Sequence, residues 1–181
     1  MKNIVSAACC LALCCVLAFA QGAHKKAAAD AATPMTDQQF VDFAGQTDMM
    51  EANLGQVAEN QASAQSVKDY ALMLVTDHTS DYTQLTLAAG KANLIVPRGL
   101  DAAHDQMIAP FDKLKGTAFD YRYIQEMIAG HTKAIAVYTK EATDAQSADL
   151  KAYASETLPT LQKHLDGAKE LSKAKPSAKN M

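Results

Sequence analysis

The sequence predicts an all-α fold, an antiparallel four-helix bundle with a short extra helix in the crossover between the second and third long helices. Three observations carry this. Four long segments repeat apolar residues at three- and four-residue steps, the period of a helix with one buried face. Period-two alternation and Val/Ile/Thr-rich runs, the marks of strands, are missing. Four of the 5 prolines and half of the 8 glycines fall outside these segments, several of them together in the stretch between the second and third.

Residues 1–20 read as a signal peptide: Lys2 precedes an apolar run from Ile4 to Ala20, and Ala18-Phe19-Ala20 has the small-x-small pattern of a cleavage site. Cleavage near Ala20-Gln21 predicts a periplasmic or secreted protein with no transmembrane span in the mature chain, the run being short for a bilayer. All 4 cysteines, Cys9, Cys10, Cys14 and Cys15, lie in that segment, so no disulfide framework is expected. Lipidation at one of them is the weaker alternative, because Ser6-Ala7-Ala8 makes a poor lipidation box. Residues 21–35 read as a disordered spacer of alanine, lysine and a Thr33-Pro34 turn, residues 36–172 as the bundle, and residues 173–181 as a flexible tail.

The first long helix opens on a capping box of Thr36 and Gln39, runs to about Gln61, and carries the stripe Phe40, Phe43, Thr47, Met50, Leu54, Val57, Ala58. Ser63 or Ser66 is expected to cap the second, whose stripe is Val67, Ala71, Leu74, Leu85, Ala89 and whose end near Ala89 has Gly90 for a left-handed position. The stretch 91–116 holds Pro97, Gly99, Pro110 and Gly116 around an apolar-periodic segment of Ala103, Met107, Phe111 and Leu114, hence a crossover with one short helix bent at Pro110. Thr117 with Asp120 is expected to cap the third long helix, whose stripe is Ile124, Met127, Ile128, Ile135, Tyr138. Ser147 caps the fourth after a break around Asp144, with the stripe Ala154, Thr157, Leu161, Leu165, Ala168, Leu171 and a kink expected at Pro159.

On each stripe sits one ionisable residue: Glu51, His78, His131 and His164. An unpaired carboxylate in an apolar core is costly and must be neutralised, paired or bound to a cation. Imidazole nitrogen with carboxylate oxygen suits a transition metal, with Fe, Mn or Zn the natural guess, whereas calcium and magnesium want more oxygen ligands. If the first hairpin turns between residues 62 and 63, Glu51 and His78 are offset by about one helical turn, roughly 6 Å, and a turn near residue 146 offsets His131 and His164 similarly. That spacing permits a site without demanding one. The bland alternative is a buried network in which each polar group pairs with a carbonyl or tyrosine and no metal is held. Asp77 is a candidate to orient a neighbouring imidazole, though its position about 100° from His78 reads first as surface. Met49, Met50, Met73, Met107 and Met127 have the spacing of core filler, and His24 and His104 lie in the spacer and the crossover without an assigned role.

The formal net charge of -3 and the lack of a basic stripe with interleaved aromatics argue against nucleic acid as a partner. No phosphate loop or nucleophile motif is present and all four cysteines lie in the expected signal peptide, so no catalytic residue is assigned. The partner is unknown, an envelope protein or a second copy being the open alternatives.

Four runs resemble one family together: Thr47-Asp48-Met49-Met50-Glu51 with Ala58-Glu59; Tyr70-Ala71-Leu72-Met73 with Asp77-His78; Gly116 to Tyr123 with His131; and Thr157 to His164. They are similar to the DUF4142 family, exported bacterial proteins with a ferritin-like four-helix bundle, over about Thr36 to Leu171. The resemblance implies that fold and export and marks Glu51, His78, His131 and His164 as motif positions; it implies no activity, the family being of unknown function. Ferritin-like di-iron proteins supply Glu-x-x-His pairs from two helices. Here the residues three before the histidines are Val75, Ile128 and Leu161, so a mononuclear site, a site for another metal, or no site all stay open. Two readings follow: an exported bundle binding a transition metal with an envelope or stress role, or a structural or interaction bundle with a buried polar network.

Overall fold

A computed structural model describes residues 35–173, which fold as one all-helical unit. The expected signal peptide, nearly all of the spacer and the tail lie outside the described residues. The elements are α1 (Asp37–Gln61), α2 (Gln65–Lys91), the short α3 (Ala102–Ile108) continued by a 3₁₀ turn (Ala109–Lys113), α4 (Gly116–Asp144) and α5 (Ala148–Lys173). α1 packs on α2, α4 on α5, α2 on α5 and α1 on α4, closing a four-helix ring. No described helix is long and apolar enough to cross a membrane.

Helix ends follow the sequence in part. Thr36 and Gln39 form the capping box, Ser147 Oγ accepts from the Leu150 amide, and Pro110 lies in the 3₁₀ turn that ends α3. Pro159 lies within α5, which runs on to Lys173. Three expected caps are replaced. Neither Ser63 nor Ser66 caps α2; Ala64 is its N-cap, without a side-chain bond. Gly90 stays helical, and Asn93, at φ 57°, takes the left-handed position, with Leu94 N–H donating to Ala89 O at 2.9 Å and Asn93 N–H to Gly90 O at 3.2 Å in a Schellman closure.

The Thr117–Asp120 box does not form either, because Asp120 has stronger partners. Its carboxylate accepts from Ser63 N–H (2.9 Å), Ser63 Oγ–H (2.5 Å) and Ala64 N–H (3.0 Å), holding the α1–α2 turn. Gly116 instead turns the chain into α4 at φ +66°, which favours glycine. At the other end Asp37 does the same for the α4–α5 turn, accepting from Gln146 and Ser147 N–H, both at 2.8 Å. Each hairpin turn is thus clasped by an aspartate from near the start of the other hairpin, which fixes their relative height.

The crossover runs along α1. Gln38 bonds Ile95, Gln46 bonds the Gly99 carbonyl and Asp101 amide, and α3 packs farther down. Phe111 is fully buried there, while Met107, placed on the same apolar row by the sequence, is 44 % exposed. Inside the bundle the apolar side chains form two layers. One gathers Phe40, Val41, Leu85, Tyr138, Leu150 and Tyr153, the other Leu54, Leu74, Phe111, Phe119, Tyr123 and Met127. On every long helix the ionisable residue falls in the interval between the two layers.

Candidate metal centre

Glu51 and His131 are 0 % exposed, His164 1 % and His78 2 %. The structure brings all four together: Glu51 Oε2 lies 2.9 Å from His78 Nε2 and 3.2 Å from His131 Nε2, and His131 Nε2 lies 3.2 Å from His164 Nδ1. One ring nitrogen from each histidine lies within 4.8 Å of one from each of the others. Side-chain reach therefore closes the one-turn offsets expected from the sequence.

The outward nitrogens fix the tautomers. His78 Nδ1 meets Asp48 Oδ1 at 2.9 Å, His131 Nδ1 meets the Met127 carbonyl at 2.8 Å, and His164 Nε2 meets Asp77 Oδ2 at 2.9 Å. A backbone carbonyl or a carboxylate can only accept, so each of these nitrogens carries the ring proton. The inner nitrogens, His78 Nε2, His131 Nε2 and His164 Nδ1, then present lone pairs to one another and to Glu51. Although His78 Nε2 and Glu51 Oε2 are close, they are not aligned as a hydrogen bond, and neither Glu51 oxygen has a hydrogen-bond partner. Four electron-pair donors meeting in a dry core repel unless a cation sits among them, either a proton or a metal ion.

Titration behaviour shows the site's appetite for positive charge. Burial would raise the Glu51 carboxyl, but His131, His78 and His164 together lower it to about 2. Burial would depress His78, yet Glu51 and Asp48 outweigh it and hold the ring well above its ordinary value. For His164 burial prevails over Asp77, and with the neighbouring rings it lowers this imidazole to about 4, so it is neutral at pH 7. Burial lifts Asp48 to about 7 against the pull of His78. The metal-free core thus keeps a proton beside His78 while His164 keeps its inner lone pair.

Two carboxylates complete the arrangement. Asp48 lies three residues before Glu51 on the same face of α1, an i,i+3 signal the sequence reading passed over. Asp77 was expected at the surface. Its 100° rotation from His78 carries it to the seam between α2 and α5, where it orients the imidazole of His164 rather than that of a neighbour on its own helix. Glycine at 130 also matters: a Cβ there would stand 3.3 Å from Glu51 Oε1, so its absence lets α4 lie against the carboxylate. Of the tyrosines, Tyr70 donates to the His164 carbonyl and Tyr153 to Asp81, while Tyr121 is 71 % exposed. Among the described residues one carboxylate reaches the inner cluster, so the candidate donor set is one glutamate and three histidines, one from each long helix.

The profile of DUF4142, a domain of unknown function, matches residues 22–171. The chain belongs to the DUF4142 family. No curated protein matches it. Among solved structures, this DUF4142 bundle is similar to "CopM in the Cu(II)-bound form", at 16% identity and TM-score 0.64, covering 77% of this chain and 97% of that one. The Ag-bound form of CopM matches at 16% identity and TM-score 0.60, over 75% of this chain and 93% of that one. A DUF305 fragment from Deinococcus radiodurans matches at 17% identity and TM-score 0.64, over 77% and 98%. At such identities the likeness shows a shared helical-bundle fold.

Proposed function

We propose that this protein binds one transition-metal ion in its bundle core, through His78 Nε2, His131 Nε2, His164 Nδ1 and the Glu51 carboxylate, and that it does so in the cell envelope after export. The observation that carries the reading is the orientation of the rings. Three imidazoles from three helices have their outer nitrogens tied to acceptors, so their inner lone pairs are committed to one point next to a carboxylate. Outer carboxylates of this kind fix the tautomer and raise the basicity of a metal-bound imidazole. Asp48 and Asp77 stand where that requires.

The donor chemistry narrows the metal. Imidazole-rich sets suit Zn(II), Cu(II) and Fe(II), whereas carboxylate- and water-rich sets suit Mn(II). With no sulfur among the donors, a soft ion such as Cu(I) or Ag(I) is disfavoured at this position. Zn(II) and Cu(II) fit best, and the Cu(II)-bound CopM structure on a similar bundle supports copper. Such an ion would supply positive charge and, for copper, a redox couple. The glutamate, unlike the rings, has a free second oxygen held against Gly130 and is the ligand with room to shift.

The test is elemental analysis of untagged protein after incubation with Zn(II) or Cu(II) and gel filtration, with His131→Ala beside it. One ion per chain in the parent and a large loss in the variant is the expected result. A parent that stays metal-free would retire the reading in favour of a proton-bridged polar network.

A further inference from the structure

The core site is buried between two apolar layers, so an ion needs a way in. The flank of α1 is covered by the crossover and α3. Between α2 and α5 the surface instead dips into a cleft of about 230 Å³ lined by Asp77, Ser80, Asp81, Tyr153, Glu156 and Thr157, among others. Its chemistry is that of a cation site, with three carboxylates, the hydroxyls of Ser80, Tyr153, Thr157 and Thr160 beside them, and no lysine or arginine among the described residues of its wall. The floor connects to the core at two points. Asp77 Oδ2, on the wall, bonds His164 Nε2 at 2.9 Å, and His164 is an inner-cluster ring. Near Asp81 stands Asp48, which is 2 % exposed, bonded through Oδ1 to His78 and without a hydrogen-bond partner at Oδ2. Two neighbouring carboxylates repel each other when both are ionised, so their surroundings favour a cation or a proton. Another cleft, about 510 Å³ between α1 and the crossover, shares no residue with the histidine cluster.

We propose that the α2–α5 cleft is a loading site, where Asp77, Asp81 and Glu156 take a divalent cation from solvent and pass it to the core histidines beside His164. The inference rests on the metal-centre reading and adds the route. Asp77 is the positioning residue: with its carboxylate on His164 the path is closed, and rotation toward an ion in the cleft frees the ring to turn. Lys163 Nζ, 3.8 Å from Asp77 Oδ2 and largely exposed, is the cation an incoming ion would displace. Asp81 is held in place by the Tyr153 hydroxyl (2.8 Å) and the Thr157 hydroxyl (3.0 Å), so a fixed negative charge faces the mouth.

The route predicts rates rather than affinities. Clefts lined by one sign of charge raise the local concentration of counter-ions and speed association by about 10- to 1000-fold, an effect lost in salt. Stopped-flow mixing of the full chain with Cu(II), read by quenching of tyrosine fluorescence, measures uptake. Glu156→Gln, at an exposed position, is expected to slow association about threefold and Asp81→Asn with Glu156→Gln about tenfold, with a flatter ionic-strength dependence and an unchanged end-point. Lys163→Gln should speed uptake, and Glu170→Gln, removing an equal charge away from the cleft, should leave it alone. Parental rates in the Glu156 and double variants, with the parent still loading one ion, would overturn the route while leaving the core site standing. A parent that takes up no Cu(II) would remove the core reading and the route together.

Discussion

Replacing Glu51 by glutamine keeps shape and removes one negative charge from the middle of the cluster. In the metal-free protein that charge lies 2.9 Å from His78 Nε2 and 3.2 Å from His131 Nε2, with all three side chains almost fully buried. Its carboxyl falls from an ordinary 4.5 to about 2, with burial opposing and the histidines prevailing. At about 1.4 kcal/mol per pH unit, that displacement corresponds to about 3 kcal/mol of stability. Removing one partner of a buried pair costs about 3–5 kcal/mol by the other route, so the two arguments agree. A depressed carboxylate stabilises above its unfolded value and loses that contribution as pH falls through its folded one, here from 4.5 to about 2. Urea unfolding at pH 7 with chelator present should therefore place Glu51→Gln lower in midpoint by about 1.5 M, for a slope of about 2 kcal/mol/M. The difference from the parent should shrink as pH falls from 5 toward 2. A variant of parental or greater stability at pH 7 would refute the claim that Glu51 is an ionised partner of the histidines.

His78 acts on the other side of neutrality. With Glu51 and Asp48 overcoming burial, its folded value is raised, so its contribution is complete below 6.5 and disappears as pH rises through that higher value. Chelated protein should accordingly lose stability as pH rises through that value. Metal must displace the same proton: at pH 7, calorimetry in buffers of different ionisation enthalpy should find about one proton released per ion, and zero release would contradict a protonated His78 in the metal-free core. Gly130→Ala places a methyl 3.3 Å from Glu51 Oε1 but removes a glycine from a helix interior. Metal affinity should fall while chelated protein unfolds within about 1 kcal/mol of the parent, the sign set by helix propensity against crowding. Asp120→Ala removes three bonds to the α1–α2 turn and should cost about 1–2 kcal/mol, or several degrees in Tm, with metal stoichiometry intact.

The fold was legible because helical periodicity survives in all four long helices, and Glu51, His78, His131 and His164 stood out as the polar members of apolar rows. What stayed hidden depends on contacts between helices. Asp120 and Ser63 each carry a capping signature of their own, and only the bundle shows that they bind each other instead. Asp77 faces the surface of its own helix and is partly covered only because α5 lies across it. Asp48 was legible in principle, three residues before Glu51, but a stripe drawn through Thr47 and Met50 passed it by. Asn93 took the turn assigned to Gly90 because the helix continues past its glycine, and periodicity locates ends only to within a residue or two.

X-ray absorption at the metal edge of the loaded, untagged protein tests the central claim most directly. The expected first shell is nitrogen and oxygen only, with the multiple-scattering pattern of three imidazoles, reduced by one in His164→Ala. A sulfur scatterer, a single imidazole, or a spectrum unchanged by that substitution would place any bound metal elsewhere and contradict a site built from Glu51, His78, His131 and His164.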